Sequence, residues 1–301
     1  MRQANQVVFH WKACTLNGQQ APGCKDIQRA RQLRASIDRG QDLPMRVHRN
    51  AFEHSTKVRF SGNIITVGTA GAQFTAIQDA VSYAQAHTIP TINVLKGTYP
   101  AVTISAIPAV TILGQTKNEN DYSQNQVVVS NSGTALKVST NVKGLTVKNI
   151  NFINTAPNDG AVVIRGRKNA FYQCQFISSR SMGITTNLGI GLIANSYIKA
   201  ADTIISGKGT LYVFNTVIVP SGSSTVIAFN QGTTVDDTLY NSTMVFDRNS
   251  IVSRDGDNHK VFLAGAKRAG SVVIYRNSAL GSSVVTNGVS IDRVLSKQRS
   301  G

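Results

Sequence analysis

The chain has 301 residues, 41% of them hydrophobic and only 15% charged, which excludes an intrinsically disordered protein and points to a polar, turn-rich surface. Thirty-one Lys and Arg stand against 15 Asp and Glu, a formal net charge of +16. Such a field favours an anionic partner: a nucleic acid, an anionic membrane surface or an acidic polysaccharide. No apolar run is long enough to cross a membrane as a helix, and the N-terminus lacks the apolar core of a secretory signal peptide.

Residues 1–60 carry 11 Lys and Arg and 4 Asp and Glu, are rich in Arg and Gln, and lack strand alternation. Residues 26–39 (DIQRARQLRASIDR), closed by Gly40, predict one short basic helix. The segment reads as a basic N-terminal extension, either an electrostatic anchor or an extension with no role of its own. Cys14 and Cys24 are close enough in sequence to form a small disulfide loop. Cys174 sits in an apolar-alternating run and is expected to be a buried free thiol. No CxxC or Cys/His cluster marks a metal site, and GTAGAQF lacks the Lys-Ser/Thr of a phosphate-binding loop, so no metal and no cofactor are expected.

From Ile64 the texture changes. IITV predicts a strand and GTAGAQF a Gly-rich turn. Residues 75–87 (TAIQDAVSYAQAH) predict a helix with Ile77, Ala80, Val81 and Ala84 on one face. Beyond it, short alternating strands follow one another between Gly, Asn and Ser turns. Six strand endings share an Asn or Gln followed three residues later by an apolar residue: Asn149, Gln173, Asn195, Asn215, Asn241 and Asn277. Their spacings are 24, 22, 20, 26 and 36, and a period in the low twenties made of strands with no helix in each unit predicts a β-solenoid in which like residues stack on successive coils. The helix would cap the open N-terminal end. The competing architecture is a β-sandwich, which the repeated Asn phase disfavours.

The segments ITVGTAGAQFTAIQDAVSYA, VLKGTY, TILGQT, LTVKNINFINTA, AFYQCQFISSRS, NSYIKAADTIISG and STVIAFNQG occur in an order and spacing that resemble the pectin methylesterases, the carbohydrate esterases that remove methyl groups from pectin. The similarity runs from about Ile64 to about Gly281. It implies an all-β fold, a single-stranded right-handed parallel β-helix with a short N-terminal capping helix. The division expected is a basic extension over 1–60, a pectinesterase-like β-helix over 61–287 and a C-terminal tail over 288–301. It also implies a secreted, monomeric protein of the cell wall whose partner is an acidic polysaccharide, pectin or homogalacturonan. Neither nucleic acid nor membrane is an expected partner.

In that family an ionised Asp attacks the methyl ester, a protonated Asp gives a proton to the departing methanol, two Gln steady the oxyanion and an Arg holds the nucleophile. Two carboxyls with split pKa values and an oxyanion hole suit this chemistry. Carried over by position, the nucleophile falls on Asp202 and is retained. The general acid falls on Ser181, the oxyanion Gln beside it on Arg180, and the other oxyanion Gln on Gly160, with Asp159 adjacent. The family's LGRPW segment falls on LAGAKR at residues 263–268, where Lys267 or Arg268 is the candidate substrate-binding cation, together with Arg180.

Three readings of function stay open: an impaired ester hydrolase acting on methyl-esterified homogalacturonan, a non-catalytic pectin- or polyanion-binding β-helix derived from such an enzyme, and a purely structural solenoid. Ser181 as a new nucleophile would need a His base, and only His259 lies beyond the helix. The cluster Arg254, Asp255, Asp257, His259 and Lys260 reads as a solvated loop.

Overall fold

The computed structural model describes residues 64–69, 71–157, 159–232, 242–252, 260–266 and 271–285, together with the backbone of the strands Arg2–His10, Thr15–Leu16 and Gln19–Gln20. The expected helix over 26–39, Cys14, Cys24, Asn241, Lys267, Arg268, residues 254–259 and residues 288–301 lie outside these residues.

Strands dominate, and they pair in parallel from coil to coil as a right-handed parallel β-helix. Each coil has three faces. The first is built from strands such as Thr91–Val94, Val110–Gly114, Leu145–Lys148 and Asn169–Tyr172. The second holds Val127–Asn131, Ile150–Asn154, Gln175–Ser178 and Tyr197–Ala200. The third holds Val102–Ile104, Leu136–Val138, Val162–Ile164, Ser224–Asn230 and Lys260–Ala266. Two longer strands, Ile184–Ala194 and Thr203–Phe214, turn the corner from the third face into the first.

The alternating pattern sends every second side chain inward, and parallel register stacks like on like. Ile65, Ile92, Ile112, Val147, Phe171, Ile193, Val213, Phe246 and Tyr275 form one continuous inward column. All are buried. A second column runs through Val129, Phe152, Phe176 and Ile198. The Phe152 and Phe176 rings stack at 5.8 Å, and Phe171 meets Phe176 edge-on at 5.5 Å. These are favourable aromatic geometries.

Helix α1, Ile77–His87, covers the N-terminal end, and the residues it buries are Ile77, Ala80, Val81 and Ala84, the face the sequence predicts. It ends where Thr88 turns left-handed (φ 56°) and donates its N–H to the Ala84 carbonyl. The Gln78 side chain does more than the pattern suggests. Its Oε1 accepts from the Thr103 N–H at 2.8 Å, and its Nε2 donates to the Thr103 carbonyl at 3.1 Å. One side chain thus satisfies both backbone groups of a residue on an end coil, where an unpaired edge is a liability.

The polar repeat lies at the corner between the first and second faces. Asn149, Gln173, Asn195, Asn215, Arg248 and Asn277 all adopt positive φ, between 46° and 60°. Asn is among the few residues that enter this region at modest cost, which explains its recurrence. Their N–H groups bond coil to coil: Asn149 to the Tyr172 carbonyl, Gln173 to Ala194, Asn195 to Phe214, Asn215 to Asp247 and Arg248 to Arg276. The Asn215 Nδ2 also donates to Asn195 Oδ1 at 2.7 Å. The fifth place therefore belongs to Arg248.

One residue further on, a second polar column runs through the interior. The Cys174 N–H donates to Ser196 Oγ at 3.1 Å, and the Ser196 N–H to Thr216 Oγ1 at 3.4 Å. The Thr216 N–H donates to Asn249 Oδ1 at 2.8 Å, and the Asn249 N–H to Ser278 Oγ at 3.1 Å. All five residues are buried. The Ser196, Thr216, Asn249 and Ser278 side chains each supply an acceptor to an N–H of the coil before, and leaving such a buried group unpaired costs about 1–3 kcal/mol.

Cys174 is the buried free thiol expected, and burial pushes its pKa up to about 12. In the unfolded chain the thiol ionises near pH 8.5. Between these values the unfolded chain holds fewer protons, so Cys174's contribution is complete below about pH 8.5 and is lost as pH rises, at a slope approaching ~1.4 kcal/mol per pH unit. Urea titrations at pH 8 and pH 10 should show wild type losing more stability than Cys174→Ala. Parallel curves would contradict a shielded thiol.

At the N-terminus, Arg2–His10 forms a strand antiparallel to Val272–Leu280, with Gln6 opposite Arg276. Weak alternation in RQANQVVFH hid it from the sequence reading. Residues 1–11 and 63–301 make one compact unit and residues 12–62 another, which contains the hairpin Thr15–Leu16 and Gln19–Gln20.

Candidate active site

The candidate positions lie where coils pass from the second face into the third. Parallel register carries them up three successive coils. The Ala161 N–H donates to the Met182 carbonyl at 3.3 Å, and the Gly183 N–H to the Thr203 carbonyl at 3.0 Å. The Asp202 N–H reaches the Ser181 carbonyl at 3.4 Å. Coils are about 4.8 Å apart, so Gly160 and Asp202 are separated by roughly 10 Å along the axis with Ser181 between them.

Asp202 directly precedes the strand Thr203–Phe214 and is exposed. Its carbonyl accepts from the Val226 N–H at 3.0 Å, and the neighbouring Ala201 carbonyl accepts from Thr225 Oγ1 at 2.8 Å. A Cβ built on Gly222 would fall 2.0 Å from the Ala201 oxygen, so the following turn must carry glycine to close over this backbone. The Asp202 backbone is therefore pinned from both sides while its carboxylate stays outside. Among the described residues that carboxylate has no hydrogen-bond or ion-pair partner.

Ser181 is buried and Arg180 exposed. No ion pair forms between Arg180 and Asp202 among the described residues. Gly160 is buried, and a Cβ there would meet Thr185 Oγ1 at 3.0 Å and the Val162 carbonyl at 3.4 Å. Asp159 is exposed, and its Oδ2 lies 3.5 Å from where a Gly133 Cβ would be, so it leans toward the preceding coil and away from Ser181. Among the described residues no group of three His, Cys, Asp or Glu comes together, and no helix is long and apolar enough to cross a membrane.

The outward side of the third face beyond these positions is a column of Val163, Thr185, Ser206, Phe229 and Gly265. A Gly265 Cβ would lie 2.7 Å from Phe229 Cδ2, so the ring lies against a bare backbone. Phe229 is an aromatic on the candidate surface that the sequence reading passed over. Its signal was an aromatic at an outward strand position, two residues before Gln231-Gly232.

No family model matches the chain. A probable pectinesterase A of Neosartorya fischeri is 28% identical over 253 residues, covering 78% of this chain and 76% of that protein. A pectinesterase of Aspergillus aculeatus is 26% identical over 219 residues, covering 64% of each. Among solved structures, the deglycosylated pectin methylesterase of Aspergillus niger superposes with a TM-score of 0.65 at 22% identity, over 78% of this chain and 84% of that one. The carrot pectin methylesterase gives 0.57 at 15% identity, over 79% and 88%. The chain has pectinesterases as curated sequence relatives, and its fold is the parallel β-helix of the pectin methylesterases.

Proposed function

We propose that the chain is a slow, secreted carbohydrate esterase of the cell wall that hydrolyses methyl esters of homogalacturonan, with Asp202 as nucleophile. The observation that carries this reading is the Asp202 carboxylate itself, exposed and, among the described residues, unpartnered on a pinned backbone. Its attack on the ester carbonyl would form a tetrahedral oxyanion and then an acyl-enzyme anhydride. Methoxide would depart as methanol after taking a proton from a solvent water, and the hydroxide left behind would attack the anhydride and release the acid and the Asp202 carboxylate. Arg180 is suited to donate hydrogen bonds to the oxyanion or to hold the carboxylate of a neighbouring uronate. Phe229 offers an apolar platform for a sugar ring. The protein acts as a monomer without metal or cofactor.

The second reading, a non-catalytic pectin-binding β-helix, is favoured by Ser181 and Gly160. A serine hydroxyl is a poor acid at neutral pH, and a glycine supplies no side-chain donor. The deciding experiment measures methanol release from methyl-esterified pectin by the purified protein, beside Asp202→Ala. Slow release lost in the variant supports the esterase. Pectin binding with no release at all supports the second reading.

A further inference from the structure

We propose that the corner where the third face turns into the first is a binding edge for de-esterified, carboxylate-bearing stretches of a uronic-acid polysaccharide, separate from the Asp202 position. The identity of the polymer rests on the function proposed above. The edge itself rests on its own observations.

Lys143, Arg165 and Lys168 are exposed cations on the two adjacent turns 139–144 and 165–168. Register ties them together. The Arg165 N–H donates to the Val138 carbonyl at 3.0 Å, and the Leu145 N–H to the Lys168 carbonyl at 3.2 Å. Exposed Lys137 flanks them on the third face. Lys208 extends the row, since it pairs with Asn187, which follows Thr186, the partner of Ile164 next to Arg165. The cations thus recur at small multiples of the coil spacing of about 4.8 Å. No Asp or Glu occurs in residues 103–109, 137–144, 163–169, 185–191 or 206–210, the stretches that build this edge.

The backbone beneath is held firmly. A Cβ on Gly166 would lie 2.9 Å from both the Ser139 and Val142 carbonyl oxygens. The Gly166 carbonyl accepts from Asn169 Nδ2 at 2.5 Å and from the Ile190 N–H at 3.1 Å. Lys168 is fixed at φ 57°. Charged stems rooted on a rigid turn lose less freedom on binding.

A polymer whose carboxylates recur along its length is complementary to this row, and one whose carboxylates are methylated is not. Lys208 is six residues beyond Asp202, on the order of 20 Å along an extended strand. A chain lying across the third face could therefore reach Asp202 with an ester while acid units rest on the edge. Nucleic acid is the less fitting occupant, because no aromatic side chain is interleaved among these cations.

The test uses the full chain and measures binding to polygalacturonate and to fully methyl-esterified pectin at low and high salt. We expect preference for polygalacturonate, weakening with salt. Lys143→Gln with Arg165→Gln and Lys168→Asn should weaken that binding about tenfold or more, the scale of three lost exposed ion pairs. The charge-keeping Lys143→Arg with Arg165→Lys should retain it, and Lys96→Gln with Lys117→Gln, on another corner, should leave it little changed. Undiminished binding by the triple variant would overturn the edge, and tighter binding to double-stranded DNA than to polygalacturonate would overturn its occupant. A chain that shows the expected pattern but releases no methanol supports the edge and sinks only the esterase reading.

Discussion

A chain carrying Ser181→Asp, Arg180→Gln and Gly160→Gln is expected to release methanol from methyl-esterified pectin faster than wild type by about two to four orders of magnitude. General acid help contributes about 10²–10⁴ and one oxyanion donor about 10²–10³. The two need not multiply, because the groups act on one transition state. Geometry adds a condition. A side chain at Gly160 starts 3.0 Å from Thr185 Oγ1, closer than ordinary contact. Thr185→Ala removes that oxygen, whose hydroxyl donates only a long contact of 3.9 Å to Met182 Sδ. The full gain should appear in the background of Thr185→Ala. Adding Asp202→Ala should abolish it. Fast wild-type turnover abolished by Asp202→Ala would mean that other residues already fill the substituted roles. Fast turnover that survives Asp202→Ala would remove the aspartyl mechanism.

Gly207→Ala should be among the most destabilising single methyl additions in the chain. Gly207 has φ 131°, and a Cβ there would fall 1.7 Å from the Thr186 carbonyl oxygen on the preceding coil. The oxygen is backbone and the Cβ is placed by backbone, and the strand pair holds both residues in register, so nothing flexible can yield. Strained φ and overpacking together put the cost at roughly 3–5 kcal/mol. The strand starts beside Asp202, so catalysis and stability should fall together. Gly71→Ala is the matched control. Its φ is 73°, but nothing lies within 4 Å of the added carbon. It should cost about 1–2 kcal/mol. Urea unfolding of the two variants separates strain alone from strain plus collision, and equal midpoints would refute the account.

The fold was legible because a solenoid repeats its instructions. The Asn at Asn149, Asn195, Asn215 and Asn277 recur because one corner needs the same left-handed backbone on every coil. The repeat slipped at Asn241 because the next corner falls on Arg248, a residue without Asn's signature. The interior column of Ser196, Thr216, Asn249 and Ser278 went unread, although each directly follows a corner residue. A small polar residue in an apolar strand looks like noise until register stacks it. At the candidate site, chain order was enough to bring Gly160, Ser181 and Asp202 onto successive coils, because parallel register turns a period into proximity. Side-chain direction was not legible. Arg180 does not reach Asp202, and Asp159 leans the other way, since exposed rotamers answer to neighbours that a one-dimensional pattern does not contain.

The interior column has a direction. Each N–H gives its proton to the side chain of the coil that follows, from Cys174 through to Ser278, while the hydroxyls of Ser196, Thr216 and Ser278 turn back to carbonyls two residues earlier in their own coil. The backbone bonds beside them run the other way: the Tyr197 N–H donates to the Cys174 carbonyl, Val217 to Ser196, Ser250 to Thr216 and Ala279 to Asn249. Cutting the solenoid between two coils therefore orphans an amide on each fragment at this corner, but only on the N-terminal fragment is the lost acceptor a side chain. Removing one of these side chains, as in Ser196→Ala, thus leaves its buried orphan in the coil before it and not in its own.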